Sequence, residues 1–271
     1  MTQNPSSPAA ARTDAFCDTP NGRIHYMAQG EGPPLLLLHS NGCSLYEFAT
    51  VMDGLAEHHR CIAWDMPGHG DSDNPRGHQS IADYAEAAFA FMDALGLQKA
   101  HVCGVSVGGF IAIEMAVVAP ARVLGVVIAE ATLRSADEWA GQWLRIETSF
   151  ALPTQTHEVV APRFRALSAD LLTRWNIDRN KAGGSRMVDV MWAIRQYAAF
   201  EQLRQLNASS VPALVLIGAQ GLVIAGRARY EEMLPRAAIH VVEHAGHFPM
   251  VDDPQAFVDA VHKAVVAAQA I

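Results

Sequence analysis

Residues 100–118 read AHVCGVSVGGFIAIEMAVV, an apolar run that passes through a glycine-flanked serine directly into a second apolar run. The first run, Ala100–Val105, is strand-like; the second, from Ser106 to Ala119, carries no Pro and predicts a buried helix. A strand, a sharp turn at Gly104-Val105-Ser106-Val107-Gly108 and a helix together restrict the chain more than any other feature. The turn has to expose the Ser106 hydroxyl while bringing strand and helix so close that side chains at 104 and 108 would collide. The positive end of the helix dipole then lies beside the hydroxyl, where an anion would be stabilised. Ser106 is therefore the candidate nucleophile.

The remaining chain fits one frame around this turn. Short strands are expected near Ala15–Asp18 and Ile24–Ala28, with the turn Pro20-Asn21-Gly22 between them. Pro34–His39 is continuously apolar, as befits a strand covered on both faces. Helix over Tyr46–Glu57, strand over Arg60–Asp65, helix over Ile81–Leu95 and strand over Val123–Glu130 continue the alternation. After an interruption, Ala213–Ile217 and Ala238–Glu243 read as strands, and Arg227–Leu234 and Pro254–Ala268 as helices. Such a rhythm predicts a mostly parallel, eight-stranded α/β sheet flanked by helices. The interruption, residues 133–206, is helical in pattern and holds Trp139, Trp143, Trp175 and Trp192, four of the five tryptophans. It predicts a helical lid inserted into a core made of residues 14–132 and 207–271, with 1–13 as a flexible tail.

Composition removes several function classes. Half the residues are hydrophobic and 18% are charged, enough apolar surface for one large core. A formal charge of −8 argues against a nucleic-acid groove. No apolar stretch of about 18 residues is present, so no membrane span is expected. Cys17, Cys43, Cys61 and Cys103 have no paired spacing and predict free thiols. With no basic-then-apolar leader at the start, a cytoplasmic location is expected. No metal motif or nucleotide fingerprint occurs, so no cofactor is expected, and a homo-oligomer remains open.

A serine nucleophile needs a base and an oxyanion site. The base is expected at His247, in Glu243-His244-Ala245-Gly246-His247-Phe248-Pro249 after the last strand, with His244 more suited to a structural role. Oxyanion donors are expected from the amides of Val107 and Asn41, the latter in the loop His39-Ser40-Asn41-Gly42.

Taken with Trp64-Asp65-Met66-Pro67-Gly68-His69-Gly70-Asp71-Ser72 and GHFPMVDDPQAF, the serine turn resembles the α/β-hydrolase superfamily, over nearly the whole chain outside the lid. The resemblance implies a Ser–His–acid triad, with Asp65 forming a turn. It also implies a carboxylate soon after the strand Ala213–Ile217, near position 221, where this chain has glycine. Val126-Val127-Ile128-Ala129-Glu130 offers one instead, at the end of the strand next to the serine strand. A Ser–His dyad, or a Glu130 paired with a lid arginine such as Arg134, are the alternatives. A triad with its acid in that place resembles the zearalenone-type lactonases, which open a macrocyclic resorcylic lactone. That likeness implies a bulky hydrophobic or aromatic lactone or ester as substrate, with Trp192, Ser40, Phe248 and Trp139 as its contacts. Three other readings stay open. The cofactor-free dioxygenases of 3-hydroxy-4-oxoquinolines also place their acid after this strand, though His39-Ser40-Asn41-Gly42 lacks their Trp. A generic carboxylesterase and a hydrolase-fold receptor that binds without turnover complete the set.

Overall fold

A computed structural model of the chain describes residues 12–269. The expected tail 1–13 lies almost wholly outside these residues, and Thr13 already opens the first strand. Eight strands form one sheet: β1 (Thr13–Thr19), β2 (Gly22–Gln29), β3 (Pro34–Leu38), β4 (Arg60–Trp64), β5 (Ala100–Val105), β6 (Val123–Ala129), β7 (Ala213–Gly218) and β8 (Ala238–Val242). Their order is β1-β2-β4-β3-β5-β6-β7-β8. β1 and β2 pair antiparallel with each other and β2 pairs antiparallel with β4; all later pairings are parallel.

Burial follows the layering. β5 is buried at every residue, because helices cover both faces of the sheet centre. The edge strands β1 and β8 instead alternate between more and less exposed residues. Alternate residues of β3 feed separate cores. Leu36 and Leu38 pack with α2 (Ile81–Ala94) and α3 (Val107–Val118), through Phe91, Phe110 and Ile113. Leu35 and Leu37 share the opposite core with Met52, Leu55, Phe257 and Val261. A strand's period of two sends its side chains to both layers, so the continuous apolar run needs no other explanation.

The first helical segment differs from expectation. Instead of one helix over 46–57, the chain makes a 3₁₀ turn at Leu45–Phe48 and a short α1 at Met52–Ala56. Three contacts hold the segment in this broken form. Ser44 Oγ accepts from the Tyr46 amide, Glu47 turns inward onto Ser40, and Thr50 Oγ1 donates to Met250 O. The β-branched Thr50 and Val51 add little helix propensity at the break.

Between β6 and β7 the described residues are helical or irregular, as α4 (Ala136–Ala151), α5 (His157–Val160), α6 (Ala169–Ala182), α7 (Gly184–Gln196) and α8 (Ala199–Ala208). α4 opens on a capping box, in which Ser135 Oγ accepts from the Glu138 amide and Glu138 accepts from the Ser135 amide. The insertion is tied to the sheet by Ser44 Oγ to Asp178, Lys181 to Asp71, Arg186 to Pro75 O and Gly77 O, and Arg229 to Glu138. Arg229, on α9 (Arg227–Met233), holds the Glu138 carboxyl down to about 2. α10 (Pro249–Asp252) and α11 (Pro254–Gln269) complete the chain. All four cysteines are free thiols, and no helix among the described residues is long and apolar enough to cross a membrane.

Candidate active site

Ser106 stands between β5 and α3 with φ 55° and ψ −113°, a left-handed conformation unusual for a residue with a side chain. The packing beneath it imposes this turn. A Cβ at Gly104 would lie 2.0 Å from Gly108 O, and one at Gly108 would lie 2.1 Å from Leu38 O. Strand, turn and helix therefore close to backbone contact, and the Ser106 amide is fixed by donation to Ala129 O at 2.8 Å.

Glu130 follows β6 directly and is, among the described residues, the other non-glycine with positive φ, at 51°. Strain of this kind persists where the surroundings over-determine it. Its amide donates to Leu216 O, its Oε1 accepts from the Gly218 amide at 2.7 Å, and its Oε2 meets His247 Nδ1 at 3.0 Å. The carboxylate is 1% exposed and is not paired with Arg134, whose described partner is Gln142. His247 is carried on the loop after β8. Its amide donates to Arg163 O, the preceding Gly246 amide donates to Asp252, and its ring packs edge-on against Phe248. With Nδ1–H donating to Glu130, Nε2 is left as the basic nitrogen. His244 is exposed and does not line the cavity over Ser106.

Ser106 and His247 both line that cavity, of about 240 Å³. The amides of Val107 and Asn41 have no acceptor among the described residues, which leaves both donors available. The Asn41 side chain is clamped: Nδ2 donates to Met187 O of α7 at 2.9 Å, and Oδ1 accepts from His69 Nε2 at 3.1 Å. Burial pushes His69 down to about 3, so its ring is neutral. Ahead of Asn41, His39 donates from Nδ1 to Ser40 O and accepts from the Met66 amide at Nε2. Asp65 is structural, accepting from the Leu45 and Asp71 amides and from His25.

The four expected substrate contacts lie elsewhere. Trp192 packs against Trp143, ring centroids 4.3 Å apart, at the α4–α7 contact, and Trp139 extends this group and lines a neighbouring cavity. Ser40 is turned onto Glu47, whose carboxyl burial raises to about 7. Phe248 is stacked on Phe164 and meets the His247 ring edge-on, outside the cavity lining. The cavity walls come instead from Phe110, Thr132, Ile146, Phe150, Met191, Ile194 and Leu222, with Arg134, Arg145 and Arg163. Residues 145, 146, 149 and 150 recur at one-turn spacing on the second half of α4, a signal the tryptophans overshadowed.

One trio of described residues, His25, Asp65 and Asp71, brings possible metal-ligand atoms within 4.8 Å of one another. These groups are already engaged, His25 with Asp65 and Asp71 with Lys181, so the arrangement is explained without an ion.

The fold and the turn at Ser106 place the chain in a defined class, and sequence comparison agrees. Residues 33–254 match the family described as alpha/beta hydrolase fold, and the chain belongs to that family. It is 31% identical, over 82% of its length, to the dihydrolipoyllysine-residue acetyltransferase component of the acetoin cleaving system of Pseudomonas putida. The chain spans less than two thirds of that relative's length, as it does of other curated relatives at comparable identity. It is 29% identical to the pimeloyl-[acyl-carrier protein] methyl ester esterase of Aeromonas salmonicida, covering 86% of this chain and 95% of that one. Among solved structures, the enol-lactonase from Burkholderia xenovorans LB400 superposes with a TM-score of 0.79 at 22% identity, over 93% of this chain and 100% of that one.

Proposed function

We propose that the protein hydrolyses a carboxylic ester or lactone through an acyl-enzyme on Ser106, with His247 as base and Glu130 as the acid of the triad. The observation that carries this reading is the Glu130 Oε2 to His247 Nδ1 contact at 3.0 Å, behind a cavity that Ser106 and His247 share. His247 Nε2 takes the Ser106 proton as Oγ attacks the carbonyl carbon. The amides of Val107 and Asn41 receive the oxyanion, and Glu130 stabilises the imidazolium that forms. The leaving alkoxide takes the proton back from His247, which next deprotonates the water that frees the acid product. The relative named for cleaving a methyl ester supports the ester reading, and the neighbour named an enol-lactonase supports the lactone reading.

Within this class, the position of Glu130 favours a lactone, of the kind opened by the zearalenone-type enzymes. The test is product mass after incubation with a resorcylic macrolactone, an aryl ester and a 3-hydroxy-4-oxoquinoline. A gain of one water from either of the first two, lost in Ser106→Ala, is the expected result. Uptake of O₂ with the quinoline alone would replace this reading with ring-cleaving oxygenation, and no turnover of any of the three would favour a receptor.

A further inference from the structure

The cavity over Ser106 is ringed by positive charge in a chain whose net charge is −8. Arg134 enters it from the segment after β6, Arg145 from α4, and Arg163 from the segment whose carbonyl holds the His247 amide. No aspartate or glutamate lines the cavity. Among the described residues no carboxylate pairs with any of the three: Arg134 reaches only the Gln142 amide oxygen, at 3.4 Å, and Arg163 Nε is buried without an acceptor. Glu138, the carboxylate nearest in sequence to Arg134, is taken by a two-pronged pairing with Arg229 at 2.7 Å on each oxygen. Burial lowers Arg134 and Arg163 below the usual arginine value; on Arg134 the nearby Glu138 charge opposes this and Arg145 adds to it.

Guanidinium groups stay charged in proteins. Arg145 is exposed and solvated, whereas Arg134 and Arg163 are half-buried with no carboxylate paired to them, a cost that an anion would relieve. The rings of Trp139, 5.0 Å beneath Arg134, and Trp175, 5.6 Å from Arg163, brace the side chains without neutralising them. Alongside the charges, Ile146, Phe150 and Ile194 give an apolar wall. We infer that the substrate carries a free carboxylate in addition to its scissile ester or lactone, and that Arg134 and Arg145 bind it while an apolar body lies against Ile146, Phe150 and Ile194. The inference rests on the hydrolase reading and names its substrate class.

Two esters of equal length separate the charge from everything else: mono(4-nitrophenyl) glutarate and 4-nitrophenyl pentanoate. In each, water adds to the acyl carbon and 4-nitrophenolate leaves. Wild-type kcat/KM is expected to favour the glutarate by at least about tenfold, through KM, since charge-assisted guanidinium–carboxylate bonds are the strong ones. That ratio should fall to within about twofold of unity in Arg134→Gln/Arg145→Gln and be partly kept in the corresponding double lysine variant, which retains charge but not the fork. Raising salt from about 0.05 to 0.5 M should raise KM for the charged ester alone. Equal wild-type kcat/KM for the two esters, or a preference that survives the double substitution, would overturn the inference. Turnover of neither ester counts instead against the hydrolase reading, and binding then decides. The glutarate ester should quench the tryptophan fluorescence of Ser106→Ala saturably, and less tightly once both arginines are glutamine. No saturable quench, or an equal one from the pentanoate, overturns the carboxylate site.

Discussion

The Glu130 carboxylate occupies the space that a side chain at Gly221 would need: a Cβ at 221 would lie 2.7 Å from Oε2 and 3.0 Å from the carboxyl carbon. The two positions are alternative homes for one charge. An acid at 221 would enter the space the Glu130 carboxylate fills beside His247, and steric exclusion allows only one of them. The glycine at 221 is thus the steric complement of Glu130, and in the proposed triad Glu130 stands in for an acid at that position.

That relationship can be tested by exchange. Glu130→Gly, which also suits the positive φ, is expected to lower kcat by about two to four orders of magnitude with little change in KM. Adding Gly221→Asp to it should restore at least about tenfold of kcat, because the carboxylate returns to the imidazole from the other strand. Gly221→Asp alone should reduce activity, by crowding two carboxylates into one site. Steady-state kinetics of the three variants checks the set; a double variant no better than Glu130→Gly would mean the positions do not serve the same histidine.

Gly104 and Gly108, which flank the serine turn, should be far less tolerant of substitution than glycine elsewhere. Gly108→Ala puts a methyl group 2.1 Å from Leu38 O, a backbone atom of a buried strand that has nowhere to retreat. A loss of at least ~3 kcal/mol is expected, read by urea unfolding with near-ultraviolet circular dichroism as the structural control. Gly141, on the exposed side of α4 with nothing within 4 Å of its Cβ position, provides the contrast. There, substitution by alanine should stabilise by about 0.5–1 kcal/mol.

In the proposed mechanism Asn41 offers its amide to the oxyanion; its side chain is held at both ends, by His69 and by Met187 O of α7. Asn41→Ala keeps the amide but frees the loop that aims it. The expected effect is about a tenfold fall in kcat with KM within about threefold, less than the loss of a donor would cause. A change confined to KM would show that the clamp serves substrate entry and not the oxyanion.

The features legible in the sequence were those fixed by a few consecutive residues. The buried runs at Leu35–Leu38 and Val102–Val105, the serine turn and the place of His247 after β8 all follow from local pattern and chain order. Glu130 stands out because position 221 has no carboxylate where the resemblance implies one, and the apolar strand Val126–Ala129 ends on one. The cavity walls were not. They depend on how α4 and α7 pack over the sheet, and Trp143 and Trp192, the conspicuous residues, are spent on that packing. Arg134, Arg145 and Arg163 are scattered over three elements, and only the fold gathers them. The break near Ala49 was equally hidden, since it is set by Glu47 and Thr50 reaching Ser40 and Met250.

His25 makes the pH dependence of stability testable. Its Nδ1 and Nε2 each lie 2.7 Å from a carboxylate, Asp65 at the end of β4 and Asp14 on β1, so the ring joins the outer hairpin to the sheet. The Asp65 hydrogen bond, against the opposing effect of burial and with help from Asp14, raises the imidazole to about 9. A histidine raised above its unfolded value of about 6.5 contributes its full stabilisation below that pH and loses it as pH rises through about 9. The stability gap between wild type and His25→Gln should therefore be largest at pH 6, smaller at 7.5 and smallest at 9.5. Urea unfolding at the three values measures it. A gap that stays constant would mean that His25 holds the hairpin by packing on Phe16, whose ring lies 4.7 Å away, and not by charge.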